Sequence, residues 1–221
     1  MRAFRLIEWQ EPPRIEEVDV PEPGPGQVLL KVGGAGLCHS DLHLMDWEPG
    51  VMPFDPPFTL GHENAGWIES LGDGVAGFEI GQAVAVYGPW GCGRCRACRL
   101  SREDYCERQS EIGTFGGGLG LDGGMAEYML VPSARLLVPL DDLDPRDVAP
   151  LTDAALTLPW GARIATTYWG TAVELMEVLE LSRDGRIGIE TERHSLDEAE
   201  AAYGRLREGK VKGRAVVCPN G

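Results

Sequence analysis

The 221-residue sequence contains no apolar segment long enough to cross a membrane. A membrane-spanning helix needs about 20 mainly apolar residues, and no apolar run of even about 18 occurs. The first residues, MRAFRLIEWQ, lack the apolar core of a secretory signal. We therefore expect a cytoplasmic protein with no membrane partner.

Basic residues are few relative to acidic ones. Lys and Arg number 20 against 35 Asp and Glu, so the formal net charge is −15. Nucleic acids and anionic lipids attract proteins that carry clustered positive charge. The acidic balance therefore argues against nucleic acid as a partner and favours a solvated surface that keeps the protein soluble.

Turn-forming residues are abundant. Thirty glycines and 16 prolines favour short strands joined by turns over a helical bundle. Apolar runs and alternation predict strands at residues 14–20, 27–32, 65–71, 82–87, 124–132 and 212–219. The predicted fold class is therefore mainly β with a few α-helices (α+β).

Helical patterns occur late in the chain. Residues 171–182 predict one helix, and the capping-box spacing of Ser195 and Glu198 predicts a second, extending to about residue 207. The apolar face predicted for the first helix consists of Val173, Met176 and Leu179, and the inclusion of Leu175 stays open.

Four of the six cysteines form a C-x2-C-x2-C-x7-C run. Its members are Cys92, Cys95, Cys98 and Cys106. Four thiolates can bind one tetrahedral zinc ion with Zn–S bonds of about 2.3 Å. Such a zinc stabilises a loop and does no chemistry, because four protein ligands leave no open position. A disulfide pair is the alternative, although a reducing compartment disfavours it.

Three separate segments carry residues that could bind a second metal ion. Cys38, His62 and Asp153 would supply one thiolate, one imidazole and one carboxylate. Three such ligands leave a fourth position open, as in catalytic zinc sites. Spacing alone leaves ordinary interpretations open: a small buried thiol for Cys38, a satisfied polar residue for His62 and a turn N-cap for Asp153.

These residues also carry a family resemblance. The pattern GHE-x2-G-x5-G-x2-V, which begins at Gly61, matches the zinc signature of medium-chain zinc-dependent alcohol dehydrogenases. The four-cysteine run resembles the structural zinc lobe of that family, and CHSDLH from Cys38 resembles its first catalytic-zinc segment. The resemblance covers nearly the whole chain, from Met1 to Asn220, and implies a GroES-like, partly open β-barrel catalytic domain with a zinc-binding lobe.

The resemblance implies ligands for two zinc ions per chain. The four cysteines would hold the structural ion, and Cys38, His62 and Asp153 would hold the catalytic ion, although many members have a cysteine in place of Asp153. It further implies that Asp41 accepts a hydrogen bond from the far nitrogen of His62 and fixes its tautomer.

The resemblance also implies roles in proton transfer and substrate binding. Ser40 would take the proton of an alcohol, His43 would pass it to solvent, and Glu63 would lie beside the metal. Candidates for an apolar substrate wall, with core packing an equally good interpretation for each, are Phe54, Leu119, Tyr168 and Trp169.

The sequence departs from the family pattern after the LTDAALT segment that begins at Leu151. Relatives of this kind continue from an LTDAALT-like segment into a Rossmann domain for NAD(P), whereas this chain soon reaches TYWG, which resembles the last strand of that domain. The string GLGLDG, from Gly118, matches G-x-G-x-x-G but follows no predicted strand and opens no helix, so we interpret it as a loop. We therefore predict no complete Rossmann domain; whether its loss is natural or engineered stays open.

Three parts of the chain follow from this comparison. Residues 1–155 are predicted to form the GroES-like catalytic domain, including the structural zinc lobe at residues 88–110. Residues 156–183 would be a remnant of the cofactor-domain edge with its return helix. Residues 184–221 would complete the catalytic domain. An exposed cleft face would favour a homo-oligomer.

The predicted function is that of a zinc-dependent, alcohol dehydrogenase-like oxidoreductase that interconverts small alcohols and ketones or aldehydes. Zn²⁺ has a filled d shell and cannot accept electrons, so the hydride must pass to a second carbonyl compound or to NAD(P) held without the usual fold. Two alternatives stay open. One is a non-redox zinc Lewis-acid enzyme for hydration, hydrolysis or isomerisation, and the other is a zinc-folded scaffold module without turnover.

Overall fold

The structure, a computed structural model, describes residues 1–153 and 170–221. Its strands are β1 (Arg2–Leu6), β2 (Arg14–Glu17), β3 (Val28–Gly36), β4 (Phe58–Thr59), β5 (Glu63–Leu71), β6 (Ala83–Val86), β7 (Gly116–Gly117), β8 (Gly120–Leu121), β9 (Tyr128–Val131), β10 (Leu137–Pro139), β11 (Thr191–His194) and β12 (Arg214–Val217). Its helices are α1 (His39–Asp46), α2 (Arg96–Arg99), α3 (Gln109–Ile112), α4 (Pro145–Val148), α5 (Ala172–Arg183) and α6 (Ala199–Arg207), with 3₁₀ turns at Glu103–Tyr105, Ala134–Leu136, Ala149–Thr152 and Leu196–Glu198.

Most of the strands belong to one sheet. Its order is β10-β6-β5-β3-β12-β11, and β9 pairs with β3 as well. A second sheet has the order β2-β1-β4, and β7 pairs with β8. Within the described ranges the pairing is antiparallel except for β11 with β12 and β7 with β8, and no barrel closes. This arrangement confirms the predicted mainly β fold with a few helices.

Strand β3 links the two main parts of the core. Val28, Leu30 and Val32 belong to the apolar cluster beneath the large sheet, whereas Ala35 and the following Leu37 belong to a second cluster. A strand buried on both faces is expected to read as a nearly continuous apolar run, as VLLKVGGAG does. The end of this strand therefore delivers the next residue, Cys38, into the interior.

A close approach between β3 and β5 requires glycine at position 36. Gly36 pairs with Glu63 in the antiparallel register, and a Cβ atom at Gly36 would collide with Glu63 Oε2. The missing side chain thus leaves room for the Glu63 carboxylate beside the end of β3.

Helix α5 corrects one prediction. The helix exists, and Thr171 caps it, because Glu174 N donates to Thr171 Oγ1 over 3.2 Å. Its buried residues are Leu175, Val178 and Leu179. The predicted face was wrong for Val173 and Met176, which are 52% and 47% exposed. The i, i+3, i+4 stripe that packs on the core begins at Leu175 and is centred on it, so Val173 and Met176 point outward.

Other boundaries differ from the predicted ones at strand and helix ends. Strand β9 contains only the last part of the predicted range 124–132, and β2 only the first part of 14–20. Strand β1 and helix α1 were not predicted at all. Among residues 1–153 and 170–221, every helix is too short or too polar to cross a membrane.

Candidate metal centre

Three loops bring the predicted ligands of the second metal ion together. Cys38 caps α1 directly after β3, His62 immediately precedes β5, and Asp153 follows the 3₁₀ turn Ala149–Thr152. One donor atom from each of them, and one from Glu63, lie within 4.8 Å of one another. Asp153 Oδ2 is 3.5 Å from His62 Nε2 and 3.6 Å from Cys38 Sγ.

The donor set and its spacing fit a zinc ion. Tetrahedral ligands with bonds of about 2.0–2.3 Å lie roughly 3.5 Å from one another, which is close to the two separations around Asp153. Glu63 Oε2 is buried nearby and accepts no hydrogen bond within the part of the chain that the structure describes. A thiol, an imidazole and carboxylates that converge in this way could hold a divalent cation.

The charges around His62 favour a cation at this position. Its Nδ1 atom lies 2.9 Å from Asp41 Oδ1, and the two side chains are 1% and 0% exposed. Burial alone lowers the pKa of His62, but the charge of Asp41 and hydrogen bonds with Asp153, Asp41 and Cys38 outweigh that effect and raise the pKa well above its usual value. The predicted pairing of Asp41 with His62 is thus present in the geometry.

Glu63 has a cationic partner that the sequence analysis missed. Arg214, on β12, donates from Nη2 to Glu63 Oε1 and also to the carbonyl oxygen of Leu37 over 3.2 Å. Burial raises the pKa of Glu63 to about 7 against the lowering effect of Arg214. The one available signal was a charged residue at the start of an otherwise apolar strand, RAVV.

Tyr203 is a second residue that the sequence analysis missed. It lies on α6, and its hydroxyl donates to Asp41 Oδ2 over 2.7 Å. Burial, followed by the charge of Asp41, raises the pKa of Tyr203 well above its usual value, so the hydroxyl stays protonated and acts as a donor. No local pattern in the sequence signals this contact, because the two residues are 162 positions apart.

The predicted proton-transfer residues lie on the exposed side of α1. Ser40 Oγ is 3.3 Å from Cys38 Sγ, so this hydroxyl borders the cluster of donor atoms. His43 is exposed to solvent. Residues three apart on a helix share a face, so Ser40 and His43 lie on the same side of α1.

The predicted substrate-wall residues have different outcomes. Phe54 and Leu119 are both buried in the second apolar cluster. The Phe54 ring packs edge-on against Phe58, with 5.7 Å between centroids. Tyr168 and Trp169 lie outside the described residues. Burial in this cluster is compatible with both predicted interpretations of Phe54 and Leu119, a substrate wall and core packing.

The four-cysteine lobe has the geometry of a closed metal site. All six cysteines lie in the described residues and are free thiols. The four sulfur atoms of the run lie within 4.8 Å of one another, with 3.9 Å between Cys92 and Cys98. Backbone N–H groups donate to the sulfurs, as Cys95 N does to Cys92 Sγ over 3.3 Å, and a hydrogen bond from Arg94 N lowers the pKa of Cys92 to about 6. Such bonds favour thiolates, the form that binds zinc.

Comparison with known families agrees with this geometry. Residues 24–142 match the model described as the alcohol dehydrogenase GroES-like domain. The chain belongs to this family. The match confirms the predicted membership of the zinc-dependent medium-chain alcohol dehydrogenases and the GroES-like fold.

Individual relatives show the same likeness. The chain is 40% identical over 164 residues to an NAD-dependent alcohol dehydrogenase of Sulfurisphaera tokodaii, an alignment that covers 71% of this chain and 46% of that protein. It therefore spans about half the length of the curated relatives that it matches.

Solved structures share the fold. An alcohol dehydrogenase of the archaeon Aeropyrum pernix superposes with a TM-score of 0.86 at 24% identity, covering 99% of this chain and 100% of that one. A cobalt- and zinc-bound thermostable alcohol dehydrogenase of Pyrobaculum aerophilum superposes with a TM-score of 0.83 at 21% identity, covering 99% of each chain.

Proposed function

We propose that this protein is a zinc-dependent, alcohol dehydrogenase-like oxidoreductase that interconverts small alcohols and ketones or aldehydes. One observation carries the proposal: donor atoms of Cys38, His62, Glu63 and Asp153 lie within 4.8 Å of one another in a member of the alcohol dehydrogenase family. The names of the relatives, which include NAD-dependent alcohol dehydrogenase, support the same class of reaction.

Cys38, His62 and Asp153 would hold the catalytic zinc. A bound zinc ion supplies Lewis acidity, which polarises an alcohol or carbonyl oxygen. Asp41 orients the His62 ring from the side opposite the donor cluster, since it contacts Nδ1 while Nε2 faces Asp153. The carboxylate of Glu63, held by Arg214, adds negative charge beside the ligands.

Ser40 and His43 would move the proton of the reaction. The Ser40 hydroxyl borders Cys38 Sγ and can relay the proton that the alcohol loses during oxidation, because it takes that proton while its own proton leaves toward His43. His43 is exposed, and its imidazole can pass that proton to water. In the direction of carbonyl reduction the same two groups return the proton.

The hydride must leave with two electrons, and no residue proposed for the site can accept them. The acceptor is therefore a co-reactant: either a nicotinamide cofactor or a second carbonyl compound that is reduced as the alcohol is oxidised. The four cysteines of the lobe would hold a second, structural zinc. Phe54 and Leu119 would supply part of the apolar substrate wall, and we expect a homo-oligomer.

The decisive experiment measures turnover in zinc-depleted and zinc-restored protein. Alcohol oxidation and ketone reduction are assayed with NAD(H), with NADP(H), and with a second carbonyl compound as the acceptor. We expect activity to disappear on chelation and to return with zinc. Equal rates with and without bound zinc would contradict the proposal.

Two variants separate the proposal from its alternatives. Ser40→Ala and His43→Ala should each slow turnover about 10²-fold or more while the metal content stays unchanged. Turnover of a substrate without a change in its oxidation level would instead indicate non-redox Lewis-acid chemistry. If both variants keep the full biological function of the protein, that result would favour the zinc-folded scaffold module without turnover.

A further inference from the structure

The Asp41 carboxylate is held on two sides within the protein interior. Its Oδ2 atom accepts hydrogen bonds from Cys38 N, over 3.0 Å, and from the Tyr203 hydroxyl, over 2.7 Å. Its Oδ1 atom faces His62 Nδ1 at 2.9 Å. One oxygen is therefore fixed by two donors, and the other is left aimed at the imidazole ring.

Tyr203 reaches this carboxylate from a distant part of the chain. Its ring stacks on Phe4, with 6.2 Å between centroids and an interplanar angle of 18°, and only 4% of the residue is exposed. The ring position is thus set by apolar packing, independently of the hydroxyl. The hydroxyl supplies a charge-assisted hydrogen bond, which is shorter and stronger than one between neutral groups.

We propose that Tyr203 is a positioning residue of the metal centre, whose hydroxyl holds Asp41 in the orientation that fixes the His62 ring. The inference rests on the proposed role of His62 as a metal ligand. Loss of the hydroxyl leaves Oδ2 with one donor, so the carboxylate can rotate away from His62 and Nε2 is no longer held toward Asp153. Mutation of a residue that hydrogen-bonds a ligating histidine, as Asp41 would, changes metal affinity by about 10–100-fold. Tyr203 contacts Asp41 and not the histidine itself, so we expect its effect at the lower end of that range.

The chain contains a matched control. Tyr87 is also buried, and its hydroxyl donates over 2.8 Å to the carbonyl oxygen of Gly170. Tyr87→Phe and Tyr203→Phe each remove one buried hydroxyl and one hydrogen bond, but only Tyr203 contacts the carboxylate beside His62. A general effect of removing a buried tyrosine hydroxyl would appear in both variants.

The test titrates the full chain with Zn²⁺ in competition with a chromophoric chelator and records the absorption spectrum after substitution with Co²⁺. We expect Tyr203→Phe to raise the Kd of the His62 site about tenfold and to shift its Co²⁺ bands, while the four-cysteine site stays unchanged. Tyr87→Phe should leave both sites as in the wild type. In an Asp41→Asn background, Tyr203→Phe should have no further effect on the Kd.

Each outcome decides the inference. Equal Kd values and spectra for Tyr203→Phe and the wild type would overturn it. An equal loss of zinc affinity at the His62 site in Tyr87→Phe would also overturn it, as would a wild type that binds zinc only at the four cysteines. A selective loss in Tyr203→Phe together with no alcohol oxidation by the wild type would refute the proposed reaction and leave the positioning role intact. If Tyr203→Phe does not fold without metal, its folding is followed during the Zn²⁺ titration: a midpoint equal to that of Tyr87→Phe overturns the inference, and a midpoint about tenfold higher supports it.

Discussion

Asp41 Oδ1 lies 2.9 Å from His62 Nδ1, and both side chains are shielded from solvent. A buried carboxylate in this position fixes the tautomer and the orientation of a ligating histidine. Asp41→Asn keeps the size of the side chain but removes its charge. We expect it to weaken zinc binding at the His62 site about 10–100-fold, as measured by chelator competition. Binding at the four-cysteine lobe serves as the internal control, and unchanged affinity at His62 would contradict the proposed ligand role.

Removal of one partner of the ion pair between Glu63 and Arg214 should destabilise the fold. Removal of one partner from a buried pair leaves an uncompensated charge and costs about 3–5 kcal/mol. Arg214 is 24% exposed and Glu63 0%, so Arg214→Met should reduce the free energy of unfolding by about 3 kcal/mol, at the lower end of that range.

A double-mutant cycle tests that expectation by denaturant unfolding. Glu63→Gln in the Arg214→Met background removes the stranded carboxylate and should recover part of the lost stability. A loss below about 1 kcal/mol for Arg214→Met, or no recovery in the double variant, would show that the pair is not coupled as its geometry indicates.

The cysteine lobe leaves no space for a side chain at Gly91. A Cβ atom there would lie 2.5 Å from Cys98 Sγ, closer than real Cβ contacts allow. Gly91→Ala should therefore displace this sulfur and cause loss of the lobe zinc, measured as one metal ion fewer per chain. Gly188→Ala is the control, since a Cβ atom at Gly188 meets nothing within 4 Å. Full zinc retention in Gly91→Ala would argue against a four-sulfur site.

Asp144 should make the free energy of unfolding fall as the pH becomes acidic. It accepts a hydrogen bond from Arg146 Nη2 over 2.7 Å, and this bond is the main cause of the lowered pKa of Asp144. A depressed pKa means that the carboxylate stabilises the fold above its unfolded pKa of about 3.9, and that this contribution disappears as the pH falls through the folded pKa.

Asp144→Asn isolates the charge, because the amide can still cap α4. We expect the variant to be less stable than the wild type by about 0.5–1 kcal/mol at pH 7 in urea unfolding, and the difference to shrink near pH 3. A difference that is constant with pH would assign the effect to packing.

Residues in local motifs could be predicted from the sequence, and residues defined by long-range contacts could not. Cys92, Cys95 and Cys98 are neighbours in the chain, so their spacing alone indicates a common ligand. Tyr203 and Arg214 reach the centre only because α6 packs near α1 and β12 pairs with β3. Nothing in the local sequence identifies Asp41 or Glu63 as their partners.

The orientation of α5 shows a similar limit. Its apolar residues occupy more than one side, so helical periodicity allowed both the predicted face, which extends from Leu179 to Met176 and Val173, and the observed face centred on Leu175. The choice is made by what the helix packs against, since Leu175, Val178 and Leu179 join the cluster beneath the large sheet. Sequence periodicity contains no information about that neighbour.

Strand β12 has a consequence for how the protein is made. During synthesis on the ribosome, Cys38, His62 and Glu63 emerge long before Arg214, which must enter the sheet beside β3 to neutralise Glu63. Until then the growing chain carries a carboxylate that should stay hydrated, so the nascent centre should remain open to water. Metal loading of this centre is therefore expected to follow the emergence of Arg214 from the ribosome, and a stalled nascent chain that ends before Arg214 should bind zinc at its cysteine lobe alone.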